Sequence, residues 1–154
     1  MIILGLSAFF HDSAATLIKD GVVVAAVQEE RFTRLKYDKN FPINSIKYCL
    51  KKANLSIDDV NFVGFYEKPH LKFDRILNTF SSTFPKGFKT FSLAISEWYK
   101  SKFWIEGYML SSLIELSPSK GQNMSWNKKF IFCEHHYSHA ASAFYPSPFD
   151  EAAI

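Results

Sequence analysis

Several protein classes are excluded by what this 154-residue chain lacks. It has two cysteines, Cys49 and Cys133, too few and too far apart for a disulfide framework or for zinc-finger spacing. A reduced, cytoplasmic setting is therefore expected. No apolar run approaches the roughly 18 residues of a membrane span. The apolar start, Met1 to Phe10, has no basic lead and meets His11-Asp12 early, so neither a signal peptide nor a membrane partner is expected. The six glycines are scattered, which rules out a Walker-type phosphate loop. Charge is also modest: the formal +3 comes from lysines and arginines spread along the chain, so no nucleic-acid partner is expected. Internal repeats and low-complexity tracts are absent.

What is present is enough apolar material for a core, 47% hydrophobic and 17% aromatic. The length suits one domain or part of a larger one. Ile2 to Ser7, Ala14 to Lys19 and Val22 to Gln28 read as three strands in series. Asp20-Gly21 between the last two is a hairpin turn. Val22 to Val27 shows no alternation and is expected to be buried on both faces. After a charged, irregular stretch from Glu29 to Phe41, Pro42 introduces a helical pattern with Ile43, Ile46, Leu50 and Ala53 on one face and Asn54 as its stop. Val60 to Tyr66 is a fourth strand. This order resembles the actin-like ATPase and sugar-kinase sheet, a ribonuclease-H-like α/β core with a mixed sheet flanked by helices.

Residues 68–127 differ in texture, being rich in Phe, Trp, Tyr, Ser and Lys. Helices are expected over Phe73 to Phe84, Phe88 to Lys100 and Phe103 to Leu116, then a polar loop from Ser117 to Asn127. The segment reads as a helical insertion whose aromatics serve as core or lid. Phe130-Ile131-Phe132 is a short buried strand, and Phe149 to Ile154 looks like the start of another.

Three stretches can carry chemistry. In Cys133-Glu134-His135-His136-Tyr137-Ser138-His139, a helix would place His135 and His139 one turn apart on one face, able to hold a metal ion from one side. His136 could share a face with His139 instead. The bland alternative is a helix start with one buried and two solvated histidines. Two imidazoles fill no coordination shell, so a further carboxylate or histidine is required. In Ser7 to Ser13, a hairpin loop of the actin-like kind wraps phosphates with backbone N–H groups and small hydroxyls, and His11 can act as a general base. A plain polar turn explains it equally. In Glu29-Glu30-Arg31-Phe32-Thr33-Arg34, two arginines can bind a carbamoyl or phosphoryl anion, while a solvated charged loop is the common outcome.

Taken together the stretches resemble a family. Ile3 to Ser7 with Phe10 to Ala15, Gln28 to Arg34 with Phe41-Pro42, and His135 to Phe144 with Ser147-Pro148-Phe149 are similar, in order and separation, to the O-carbamoyltransferases of the nodulation and antibiotic-tailoring type. The resemblance implies an actin-like, tRNA-threonylcarbamoyltransferase-like transfer domain, with residues 1–154 as its first, truncated part. It implies His135 and His139 as ligands of a divalent metal, iron before others. It implies His11, with Asp12, on the acceptor side. The hydroxyls and charges of the other two stretches make Ser7, Ser13, Glu30, Arg31 and Arg34 the expected substrate-binding residues. ATP and carbamoyl phosphate would be substrates of the complete enzyme. They form carbamoyl-adenylate in a separate domain, and a sugar or antibiotic-like small molecule accepts the carbamoyl group. The family's remaining aspartate ligands, C-terminal half and adenylate-forming domain would lie beyond Ile154, so the fragment alone is expected to be inactive. Two other readings stay open: a non-catalytic ligand-binding or subunit-interaction fragment of a split gene, and a sugar-kinase-like ATP-binding domain.

Overall fold

The computed structural model describes residues 1–101, 103–119 and 129–153. Its centre is a five-stranded mixed sheet in the order β3-β2-β1-β4-β5. The strands are β1 (Ile2–Ser7), β2 (Ala14–Lys19), β3 (Val22–Gln28), β4 (Phe62–Phe65) and β5 (Phe130–Phe132). The first three form an antiparallel meander, and β4 and β5 then add in parallel to β1. The α/β mixed sheet with flanking helices expected from the sequence is present. The Asp20-Gly21 turn closes β2 on β3 with both residues at positive φ (52° and 84°), which a primed hairpin turn requires.

Alternation decides which sheet face is buried. Leu4 and Leu6 of β1 are in register with Leu17 and Ala15 of β2 and with Val63 and Phe65 of β4, and all six are buried. Directly opposed residues share a face, so these form one apolar surface. Ile46, Cys49 and Leu50 of α2 (Ile43–Ala53) and Ile105, Met109 and Leu113 of α5 (Ile105–Glu115) join the same core. Gly5, Thr16 and Gly64 lie on the other face, which also carries the exposed Ile131.

Asn54 ends α2 in the left-handed conformation, φ 53°, with its N–H returned to the last turn, as the sequence led one to expect. The aromatic segment forms α3 (Pro69–Thr83), α4 (Phe88–Ser101) and α5. Residues 120–127 of the expected polar loop lie outside the described residues.

Three expectations fail. The strand Phe130–Phe132 is present but not buried: Phe130 and Phe132 are half-buried and Ile131 is exposed on the open face of the sheet. Val22, Val23 and Val24 are exposed, not buried on both faces, because β3 is an outer strand of the sheet with one neighbour and only part of its length under α2. An unbroken Val-Ala run is read as a doubly covered strand only when a second neighbour exists. Residues 149–153 form no strand, since among the described residues they have no ladder partner.

Candidate functional site

Register brings the three chemistry-bearing stretches to one edge. Leu6, Phe65 and Phe132 are lateral partners across the parallel strands β1, β4 and β5. The carboxyl ends of these strands therefore lie side by side, where open α/β sheets place their ligands. Ser7 pairs with Ala14, and Ala14 with Gln28, so the loop of residues 8–13 and the segment after β3 emerge at the same edge.

That edge is stitched by backbone bonds. Phe9 N donates to Lys39 O and Ser13 N to Asp38 O, both at 2.8 Å, and Glu29 N donates to Ser13 O at 2.7 Å. Phe9 sits at φ 71° and Asp12 at 49°, the left-handed region that bulky residues avoid. What holds Phe9 there is its ring, packed 6.2 Å from Phe41, 6.2 Å from Phe65 and 5.7 Å from Tyr108. The loop is thus held at its ends, by buried Ala8 and Ser13 and the packed Phe9 ring, and left exposed at Phe10 and His11. His11 Nδ1 lies 2.8 Å from Asp12 Oδ2. A carboxylate on Nδ1 fixes the ring and leaves Nε2 open to take a proton. Ser13 is fully buried and its Oγ has no partner.

Beyond β3, Glu29 does not stand with the arginines. Its carboxylate is buried and accepts four hydrogen bonds from the first turn of α2: Asn44 N and Nδ2 at 3.1 and 2.7 Å, and Ser45 N and Oγ at 2.8 and 2.7 Å. A carboxylate there satisfies the amides a helix start leaves unpaired. Glu30 and Arg31 belong to the short α1 (Glu30–Thr33), with Arg31 Nη2 3.8 Å from Glu30 Oε1 and the guanidinium otherwise exposed. Arg34 caps α1 at φ 60°. Asp38 accepts from Thr33 Oγ1 at 2.8 Å and from Asn40 N and Nδ2 at 2.9 and 2.8 Å. These bonds, chiefly the one from the Asn40 backbone, hold its carboxyl below the ordinary carboxylate range.

The histidines open α6 (His135–Phe144), as the spacing anticipated. The rings of His135 and His139 are 4.7 Å apart and their Nε2 atoms 3.2 Å apart. Two nitrogens on one metal with bonds of about 2.1 Å lie roughly 3.0–3.4 Å from each other, so the pair fits a shared ion. The same distance suits a hydrogen bond between neutral rings. On its far side, His135 Nδ1 is 4.0 Å from Glu67 Oε2, the side from which a carboxylate orients a ligating imidazole. Among the described residues no group of three or more His, Cys, Asp or Glu side chains could hold a metal ion. His136 stands 5.6 Å from His135, ring to ring, and takes no part in the Nε2 pair.

A cavity of about 460 Å³ lies at this edge, lined by Phe10, Tyr66, Glu67, Lys68, His135 and His136 among others. The Phe10 ring is 4.6 Å from that of His11, which places the His11–Asp12 pair at its rim. Tyr66 ties the edge together and was missed from the sequence. Its OH donates to Ala8 O at 3.5 Å, its carbonyl accepts Ser138 Oγ at 2.5 Å, and its ring is 5.7 Å from His135. Burial, with Glu67 adding to it, pushes the phenol up to about 12, so it stays a neutral donor. Lys68 pairs with Glu134 at 3.3 Å across the cavity mouth. An aromatic-plus-acid pair at a strand's carboxyl end was the only signal for Tyr66 and Glu67.

Comparison with known proteins decides the family. The model for the carbamoyltransferase N-terminus matches residues 2–154. The chain belongs to the carbamoyltransferase N-terminus family. An uncharacterized protein of Synechocystis sp., sll1178, is 50% identical over 152 residues, covering 99% of this chain and 24% of that protein. Nodulation protein NolNO of Sinorhizobium fredii is 31% identical over 152 residues, covering 96% of this chain and 19% of that protein. An uncharacterized 19.2 kDa protein of Rhizobium etli is 42% identical over 60 residues, 39% of this chain and 35% of its own length. The chain thus spans at most 24% of the length of the first two relatives. No described helix is long and apolar enough to cross a membrane.

Proposed function

We propose that the chain supplies the acceptor-facing part of a cytoplasmic O-carbamoyltransferase. The complete enzyme would move a carbamoyl group from carbamoyl-adenylate, made from carbamoyl phosphate and ATP, to a hydroxyl of a sugar or antibiotic-like acceptor. The observation that carries this, beside the family match, is the convergence of the His11–Asp12 pair, the His135–His139 pair and the Ser13–Glu29 segment on one strand edge.

The chemistry follows from the positions. His11 Nε2, with Nδ1 held by Asp12, takes the proton of the acceptor hydroxyl as its oxygen attacks the carbamoyl carbon. The carbamoyl–phosphate bond of the adenylate breaks and AMP leaves with the bonding electrons. Arg31 and Arg34 meet the phosphate, with Glu30 orienting Arg31. The hydroxyls of Ser7 and Ser13 serve the phosphate or the carbamoyl group, and Ser13 Oγ has no protein partner to give up. His135 and His139 would hold a divalent metal, iron before zinc or manganese. When bound, it supplies Lewis-acid stabilisation of negative charge. Tyr66, neutral below about pH 12, donates without titrating.

A non-catalytic ligand-binding module is the second reading. It is favoured by the absence of a third metal ligand among the described residues. One experiment separates the two: this chain replaces the matching segment of the Synechocystis relative, and carbamoyl transfer from carbamoyl phosphate and ATP to a panel of sugar hydroxyls is followed. Transfer that falls at least about 100-fold with His11→Ala supports the enzyme. An unchanged rate removes the base role. No transfer with any acceptor, while ligand still binds, leaves the binding module.

A further inference from the structure

A second cavity, of about 430 Å³, lies between α3 and α4, within the range of about 300–1,000 Å³ common to small-ligand sites. Ile76, Phe80, Phe91 and Ala94 form its apolar walls, and the Phe80 and Phe91 rings stack at 4.1 Å. Two of its threonines spend their hydroxyls on their own helix: Thr79 Oγ1 donates to Arg75 O at 2.7 Å and Thr83 Oγ1 to Thr79 O at 3.0 Å. Neither hydroxyl needs a ligand, and the walls are effectively dry.

The charges on this cavity are of one sign. Arg75 and Lys86 line it, and neither takes part in an ion pair among the described residues. The sequence between Asp74 and Glu97 contains no carboxylate at all. Arg75 and Ile76 also line the cavity that holds His135. The two spaces therefore share a wall, and a molecule lying across it would touch both.

We infer that the α3–α4 cavity is a binding subsite for an anionic amphiphile, a hydrocarbon group of acyl or aryl type carrying an acidic head. Resting on the carbamoyltransferase reading, this subsite holds the apolar part of the acceptor while its hydroxyl lies in the neighbouring cavity. Arg75, at the shared wall, is a positioning residue that meets the anion. The apolar walls choose the tail, and the two uncompensated cations choose the head.

Calorimetric titration of the chain tests this directly, with decanoate as the acyl probe, naphthoate as the aryl probe and decanol as the neutral control. The expected result is one saturable site per chain. Affinity should tighten up to about tenfold for each two methylenes from hexanoate to decanoate. Ala94→Phe, and more mildly Thr90→Leu, fill the cavity and weaken every probe that fits it, with circular dichroism confirming the fold. Arg75→Gln with Lys86→Gln weakens the carboxylates about tenfold and leaves decanol unchanged. The acyl or aryl source is the one that saturates. No saturation with any probe overturns the inference, as does wild-type binding by both filled variants. Co-sedimentation with phosphatidylglycerol vesicles in place of saturable binding also overturns it and assigns the face to a lipid surface. None of these readouts uses metal or transfer, so a chimera that fails to transfer while decanoate still binds refutes the enzyme reading alone.

Discussion

Glu29 and His135 both stand where a strand gives way to a helix at the same edge of the sheet, and their surroundings are opposite. Glu29 is buried, with four donors from α2 on its two oxygens. His135 is on a helix with no buried residue, its Nε2 meeting, among the described residues, that of His139. A buried charge with every lone pair engaged is architecture: it sets where α2 starts and is costly to disturb. An exposed pair of nitrogens at a metal-ligand separation stabilises little by itself and is available for a partner. Polar residues of the same motif-rich edge therefore divide by whether the protein already satisfies them. Ser13 Oγ is the exception, buried yet without a hydrogen-bond partner among the described residues.

The contrast breaks first at Glu29. Glu29→Ala should cost about 3 kcal/mol, because it strands the amides of Asn44 and Ser45, and Glu29→Gln should cost less. The urea midpoint measures both, and a loss under about 0.5 kcal/mol for the alanine would put Glu29 with the surface residues. His135→Ala with His139→Ala should change metal-free stability by less than about 0.5 kcal/mol. The same double variant should lose the gain of about 2.7 kcal/mol that wild type shows when metal is present at 100 times its dissociation constant.

The pH response sharpens the comparison from the carboxylate side. Hydrogen bonds from Asn40 and Thr33 depress the folded-state pKa of Asp38. Its stabilising contribution is complete above the unfolded value of about 3.9 and is lost as pH falls through the lower folded value. Its share of stability should therefore begin to fall only near about pH 4 and keep falling past the usual carboxylate range. Asp38→Asn should flatten that decline, which denaturation at a series of pH values will show. The smallest effect belongs to Tyr66→Phe. Its long hydrogen bond to Ala8 should be worth no more than about 0.5 kcal/mol. The variant should nevertheless remove the highest step, near 12, of the tyrosine ultraviolet titration.

Legibility in the sequence followed range. Local signals were readable: the Asp20-Gly21 turn, the Asn54 stop and the His-x-x-x-His helix each depend on neighbours a few residues away. The exposure of Val22 to Val24 was not, because it depends on β3 being an outer strand, a property of the strand order. Glu29 read as part of a charged cluster because its partners, Asn44 and Ser45, are about 15 residues on. Tyr66 showed only as an aromatic beside an acid at a strand end, for the same reason. Its links to Ala8 and Ser138 exist only once β1, β4 and β5 lie side by side.

The proposed metal half-site of His135 and His139 at the carboxyl edge of the sheet stands or falls on their joint affinity for the ion. Anaerobic calorimetric titration of the chain with ferrous ion, wild type against the His135→Ala, His139→Ala double variant, tests it most directly. One ion per wild-type chain, bound at least about tenfold more tightly than by the folded variant, is the predicted result. Equal affinity in the two proteins would contradict it and leave the 3.2 Å pair as a hydrogen bond between two surface imidazoles.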